Sequence, residues 1–135
     1  MAKLYRSREG EATAVDTKSQ LTTLGSETAP GPLLVPSGVS KLVQVIIASM
    51  ENFAAATGYS AFIRLEGSGL PDGPEVIGCL AGGVPVATGG NASAKAIVVP
   101  FKACKVTPGN EILIFAEMAG TDVGQVSVGV TLVFQ

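Results

Sequence analysis

The chain contains no histidine and no tryptophan. Without histidine there is no Ser-His-Asp or Cys-His machinery, no usual general base near neutral pH and no imidazole metal ligand. The two cysteines, Cys79 and Cys104, form no C-x-x-C pair, so a zinc site has no ligand set. Two readings of them stay open. They are buried thiols acting as small apolar residues, or a disulfide between neighbouring strands. Aromatic residues make up only 5% of the chain and charged residues 15%, against roughly 25% charged in an average soluble domain. So few charges leave little to hold copies apart, so part of the surface is expected to be covered by partner subunits. The net charge of −2 argues against a general nucleic-acid binder, which needs a basic surface to displace counterions, and leaves room only for a local basic patch.

Long apolar runs are also missing. Leu42 to Met50 is broken by Gln44 and Ser49 and falls well short of the roughly 20 residues of a membrane helix. The start, Met1 to Gly10, is charged but is not followed by the apolar stretch of a secretory signal. The expectation is a protein without a signal peptide or membrane span, soluble or part of a soluble assembly.

What is present reads as two segments of a single 135-residue unit, long enough to bury a core without staples. Residues 1–36 are polar and lack a sustained period. They carry Lys3, Arg6, Arg8 and Lys18 against Glu9, Glu11, Asp16 and Glu27, and end in a stretch with Pro30, Pro32 and Pro36. Prolines so close together forbid helix and break a sheet ladder. The segment is expected to be an extended N-terminal arm, disordered alone and ordered only against a neighbour.

Residues 37–135 read as strands. Val126, Val128, Val130, Leu132 and Phe134 alternate with Ser127, Gly129, Thr131 and Val133, which gives a strand with one uniformly apolar face. Lys41 to Ala48 is rich in β-branched residues. Tyr59 to Glu66 alternates Ala61, Ile63 and Leu65 against Phe62, Arg64 and Glu66. Glu75 to Leu80 and Glu111 to Glu117 are further strands, and Ala94 to Val106 is a long one that Pro100 must bend or place at an edge. Ser49 to Thr57 reads equally as a helical turn or a loop. Pro71-Asp72-Gly73-Pro74, Gly82-Gly83, Gly89-Gly90-Asn91 and Thr107-Pro108-Gly109-Asn110 supply turn chemistry. With no βαβ alternation, the fold expected is all-β: a single antiparallel sandwich, jelly-roll-like, with the arm at residues 1–36 and the sandwich at 37–135.

Candidate sites are few. Lys3, Arg6 and Arg8 suit a phosphate backbone or an acidic patch on a neighbour, but Glu9 and Glu11 offset their charge and favour a solvated terminus. Asn91-Ala92-Ser93 fits the glycosylation pattern and, without a signal, reads as a turn. The glycine-rich loops lack the spacing of a phosphate cradle. Asp72, Glu75, Glu111, Glu117 and Asp122 form no calcium loop and read as solvated loop charges, too few for a glycosidase pair. Lys102 shares a strand face with Cys104, and a thiol near an ammonium is a candidate reactive group, against a plain strand face turned to solvent or to a neighbour. No catalytic residue, cofactor or metal site is expected. The candidate contact residues are Lys3, Arg6 and Arg8 of the arm with Val35, Val43, Phe53, Tyr59 and Phe62. Phe62 ranks first because alternation turns it away from Ala61, Ile63 and Leu65.

The stretch Val106 to Phe115 and the ending Val123 to Phe134 resemble the late strands of single jelly-roll capsid proteins of tailless icosahedral viruses, of the type found in archaea and thermophilic bacteria. The resemblance covers residues 37–135 as architecture. It implies a virion protein assembled in the host cytoplasm, whose partners are copies of itself and other capsid proteins. It also implies an arm that crosses a subunit boundary. No small-molecule substrate is implied, and nucleic acid would be met only through the arm. A β-sandwich binding module, such as an adhesin or carbohydrate-binding domain, and a capsid decoration protein are the alternatives. Under the arm reading, a chain lacking residues 1–32 keeps its sandwich and assembles more weakly.

Overall fold

The computed structural model describes residues 2–12, 19–24, 31–52, 60–71, 95–99, 103–119 and 126–135. These are all-β, with no helix among the described residues. The strands are β1 (Leu4–Ala12), β2 (Ser19–Gln20), β3 (Leu33–Leu34), β4 (Lys41–Asn52), β5 (Ser60–Glu66), β6 (Lys95–Val99), β7 (Cys104–Lys105), β8 (Glu111–Ala119) and β9 (Val126–Phe134). One sheet runs β1-β9-β4-β6, with β7 also on β4. In the other, β8 pairs with β5 along one edge and with β2 and β3, end to end, along the other. Every pairing is antiparallel.

The alternation of β9 decides its orientation. Val128, Val130, Leu132 and Phe134 are all buried, opposite Val45 and Ile47 of β4 on the same face. The facing sheet supplies Ile63, Leu65, Ile112, Ile114 and Ala116, with Leu21, Leu33 and Val35 closing the side. The two sheets thus share one apolar core in a sandwich-like arrangement. Each large aliphatic side chain taken fully out of water there contributes on the order of 1.5–3 kcal/mol before entropy is counted.

The turn Thr107-Pro108-Gly109-Asn110 forms as its residues dictate. Proline presets the first central φ, Gly109 takes φ +83°, and the Asn110 N–H donates to the Thr107 carbonyl at 3.2 Å. A close approach explains a second glycine. At Gly67, φ is +118° and a Cβ would lie 2.5 Å from the Glu111 carbonyl oxygen, so any side chain would displace the start of β8.

Several expectations change. The segment 1–36 does not stand apart from the sheets. Leu4–Ala12 pairs along its whole length with β9, Ser19–Gln20 and Leu33–Leu34 pair with β8, and Leu21, Leu33 and Val35 lie in the core. The proposed boundary at 36/37 therefore runs through the hydrophobic unit. The segment looked unstructured because its strands are short or polar on both faces, and their pairing partners lie more than a hundred residues away for β1. Ser49 to Asn52, expected as helical turn or loop, continues β4. The strand expected over Ala94 to Val106 is interrupted. Val99 pairs with Val45 and Cys104 with Leu42, so four residues on one side span two on the other, around Pro100. The strand expected at Glu75 to Leu80 lies outside the described residues.

Removing residues 1–32 is accordingly expected to abolish cooperative unfolding instead of sparing the fold, because β9 loses its β1 partner and the core loses Leu21. Circular dichroism melts of the truncated and full chains check this. A truncated chain with an unchanged midpoint would show that β1 contributes nothing to the core.

Candidate interaction surface

β9 points its alternate side chains outward, and this outer face is the one with features beyond packing. By register, Tyr5, Ser7 and Glu9 of β1 lie beside Val133, Thr131 and Gly129 of β9, which lie beside Gln44, Ile46 and Ala48 of β4. Ser7 and Thr131 join their hydroxyls at 2.7 Å across the strands. Val133 is fully buried although it points away from the main core. Tyr5 is 55% exposed beside it. A surface depression of about 250 Å³ opens here, lined by Ser7, Glu9, Leu24, Ile46, Gly129 and Thr131 among others. Gly129 leaves the space because it has no side chain between Glu9 and Ala48. Leu24 reaches the wall because Thr23 bridges to Glu9: each N–H donates to the other carbonyl, and the Thr23 hydroxyl donates to Glu9 O at 2.7 Å.

This surface carries apolar and hydroxyl groups with the Glu9 side chain at one end. The Ser7 and Thr131 hydroxyls bond to each other. Among the described residues, no group of three His, Cys, Asp or Glu side chains converges as a metal site. A mixed apolar and hydroxyl face of this kind fits protein contact.

The expected contact residues disperse. Lys3 and Arg6 are exposed at the N-terminal edge, and Arg6 Nη1 donates to the Tyr5 carbonyl at 2.9 Å. Arg8 is half-buried. It donates to the carbonyls of Ser7 at 2.7 Å, Gly31 at 2.9 Å and Pro32 at 3.4 Å, so it ties β1 to the segment entering β3. Val35 is only 2% exposed, which corrects its assignment as a contact residue: it faces the core, and its backbone holds the Gly109 turn. Val43 is half-buried, where the β4–β9 register shifts between Leu42 and Gln44. Phe62 stands opposite Glu117 on β5, and its side chain lies outside what is described. Phe53 and Tyr59 lie outside the described residues. Cys104 is 5% exposed within the core, so its strand face does not meet solvent and the reactive-thiol reading is dropped. Lys102, Cys79 and the glycosylation-like Asn91 lie outside the described residues. Tyr5, Ser7, Ile46 and Thr131 were missed. The alternation of Tyr5, Ser7 and Glu9 against Leu4, Arg6 and Arg8 was the available signal, hidden because neither set is uniformly apolar.

Substituting Val35→Ala is expected to cost about 1–3 kcal/mol of folding stability, as a core deletion does, and Val43→Ala less. Urea unfolding measures both. Equal, near-zero losses would contradict the burial of Val35. No protein-family model and no curated protein sequence matches the chain.

Proposed function

We propose that this protein is a structural coat subunit, a single jelly roll that packs against copies of itself, with or without other capsid proteins, into a closed icosahedral shell. It performs no catalysis. Under this reading it resides in the virion after assembly in the host cytoplasm.

The observation that carries the reading is the nesting of strand pairs. The first strand pairs with the last, β1 with β9. Inside that pair, β2 and β3 pair with β8. Inside that again, β4 pairs with β6 and β7, and β5 falls at the centre of the sequence order. Among the described strands, the chain changes sheet at every step except β2 to β3 and β6 to β7. One long hairpin folded over on itself produces this order: its paired arms supply both layers, and β9–β4 and β8–β5 then join neighbouring turns of the roll. This order supports the jelly-roll reading, an architecture used by viral capsid proteins. The low content of charged residues, 15%, favours a molecule whose surface is largely covered by neighbours. Each contact needs on the order of 1,000 Å² to be specific, and many modest contacts reinforce one another in a closed shell. The outer face around Tyr5, Ser7 and Thr131 is suited to one such contact. Residues 4–12 are used within their own subunit, so assembly is assigned to faces and not to exchange of that segment.

Light scattering with electron microscopy of the purified full chain tests the proposal. Closed particles, or oligomers growing into them, are expected. Tyr5→Arg should leave the melting midpoint unchanged and weaken association about tenfold or more. A monomer that persists across concentration and salt would refute self-assembly and favour a binding module.

A further inference from the structure

Strand β1 is the edge of its sheet. Only one of its edges pairs with β9, and the outward-directed backbone groups belong to alternate residues. The Glu9–Thr23 bridge identifies the set: Glu9 points its N–H and carbonyl away from β9, so Ser7 and Tyr5, two and four residues earlier, do the same. A row of unpaired groups of this kind is a template for strand addition by another chain.

Each of these three outward carbonyls has a donor from this chain. Glu9 O receives Thr23 N at 3.2 Å and Thr23 Oγ1 at 2.7 Å. Ser7 O receives Arg8 Nη1 at 2.7 Å. Tyr5 O receives Arg6 Nη1 at 2.9 Å. The arginines reach the edge because register places Arg6 and Arg8 opposite Leu132 and Val130, on the core-side face at the margin of the sheet. A guanidinium there cannot enter the apolar core and turns along the edge instead. Arg8 is further held by the Gly31 and Pro32 carbonyls, which fixes its fork in place.

We propose that Arg6 and Arg8 are edge guards: they occupy the outward carbonyls of β1 and prevent a second copy of this chain from adding its own β1 there. The charge of the two arginines acts in the same direction. In an antiparallel pairing of two β1 strands centred on Ser7, Arg6 of one copy would face Arg8 of the other, and like charges directly opposite destabilise a strand pair. Arg6 and Arg8 thus have a role within β1 itself. The inference is independent of the shell reading.

The test uses the full chain with Arg6→Ala and Arg8→Ala combined. The double variant should form concentration-dependent species that extend by strand pairing, seen as filaments and not closed particles. In those species, hydrogen exchange at the Tyr5 amide should slow about tenfold or more relative to wild type. Adding Ser7→Pro, which removes an outward N–H from the same edge, should reverse both effects. Arg6→Ala alone, which leaves the Arg8 ties to Gly31 and Pro32 intact, should show a smaller slowing at Tyr5 even if the double variant does not fold. Unchanged association and unchanged Tyr5 exchange in these variants would overturn the proposal. So would association that Ser7→Pro fails to reverse.

Discussion

The double pairing of β9 is the constraint on which the rest depends. It holds β1 on one edge and β4 on the other through nearly all of its length, so its backbone polar groups are satisfied within the sheet. Its inward side chains, Val128 to Phe134, then lie against the opposite sheet with almost no exposure. The C-terminal residue extends this arrangement. Gln135 N–H donates to Lys41 O, and its own carbonyl accepts from Ser40 and Lys41, which fixes the start of β4. With β9 placed, the first strand and the fourth have their positions, and the second sheet closes over what β9 presents.

The outer face and the β1 edge follow from that placement. Because β9 puts Val128, Val130, Leu132 and Phe134 inward, its Gly129, Thr131 and Val133 lie on the outer face, beside Tyr5, Ser7 and Ile46. Pairing β1 to β9 also exposes the other edge of β1, and the inward-facing positions of that strand carry Arg6 and Arg8 where a central strand would carry aliphatic residues. The same two arginines that make β1 look unlike a strand in sequence are what make it tolerable as an edge.

Much of the candidate surface was illegible in the sequence for a definite reason. Ser7 and Thr131 bond at 2.7 Å but are separated by most of the chain, and no local period links them. Val35, between two proline-bearing turns, looked exposed, yet the Gly109 turn and the facing sheet bury it. Cys104, by contrast, was legible: it is a buried thiol, one of the two sequence readings, and alternation with exposed Ala103 and Lys105 turns it inward.

The sequence by itself determined the class of the fold, since period-two alternation and turn residues are local properties. β5, β8 and β9 follow their alternation, with Ile63, Leu65, Ile112 and Ile114 buried and Arg64 exposed. It also determined the turn at Pro108-Gly109, where the two residues set their own φ angles. Only the tertiary structure decided that Leu4–Ala12 is a strand, which sheet each strand joins, and what Arg6 and Arg8 do. A polar edge strand has no periodic signature of its own. Its conformation is stabilised by hydrogen bonds to a partner at the far end of the chain, and those exist only once the sheet has formed.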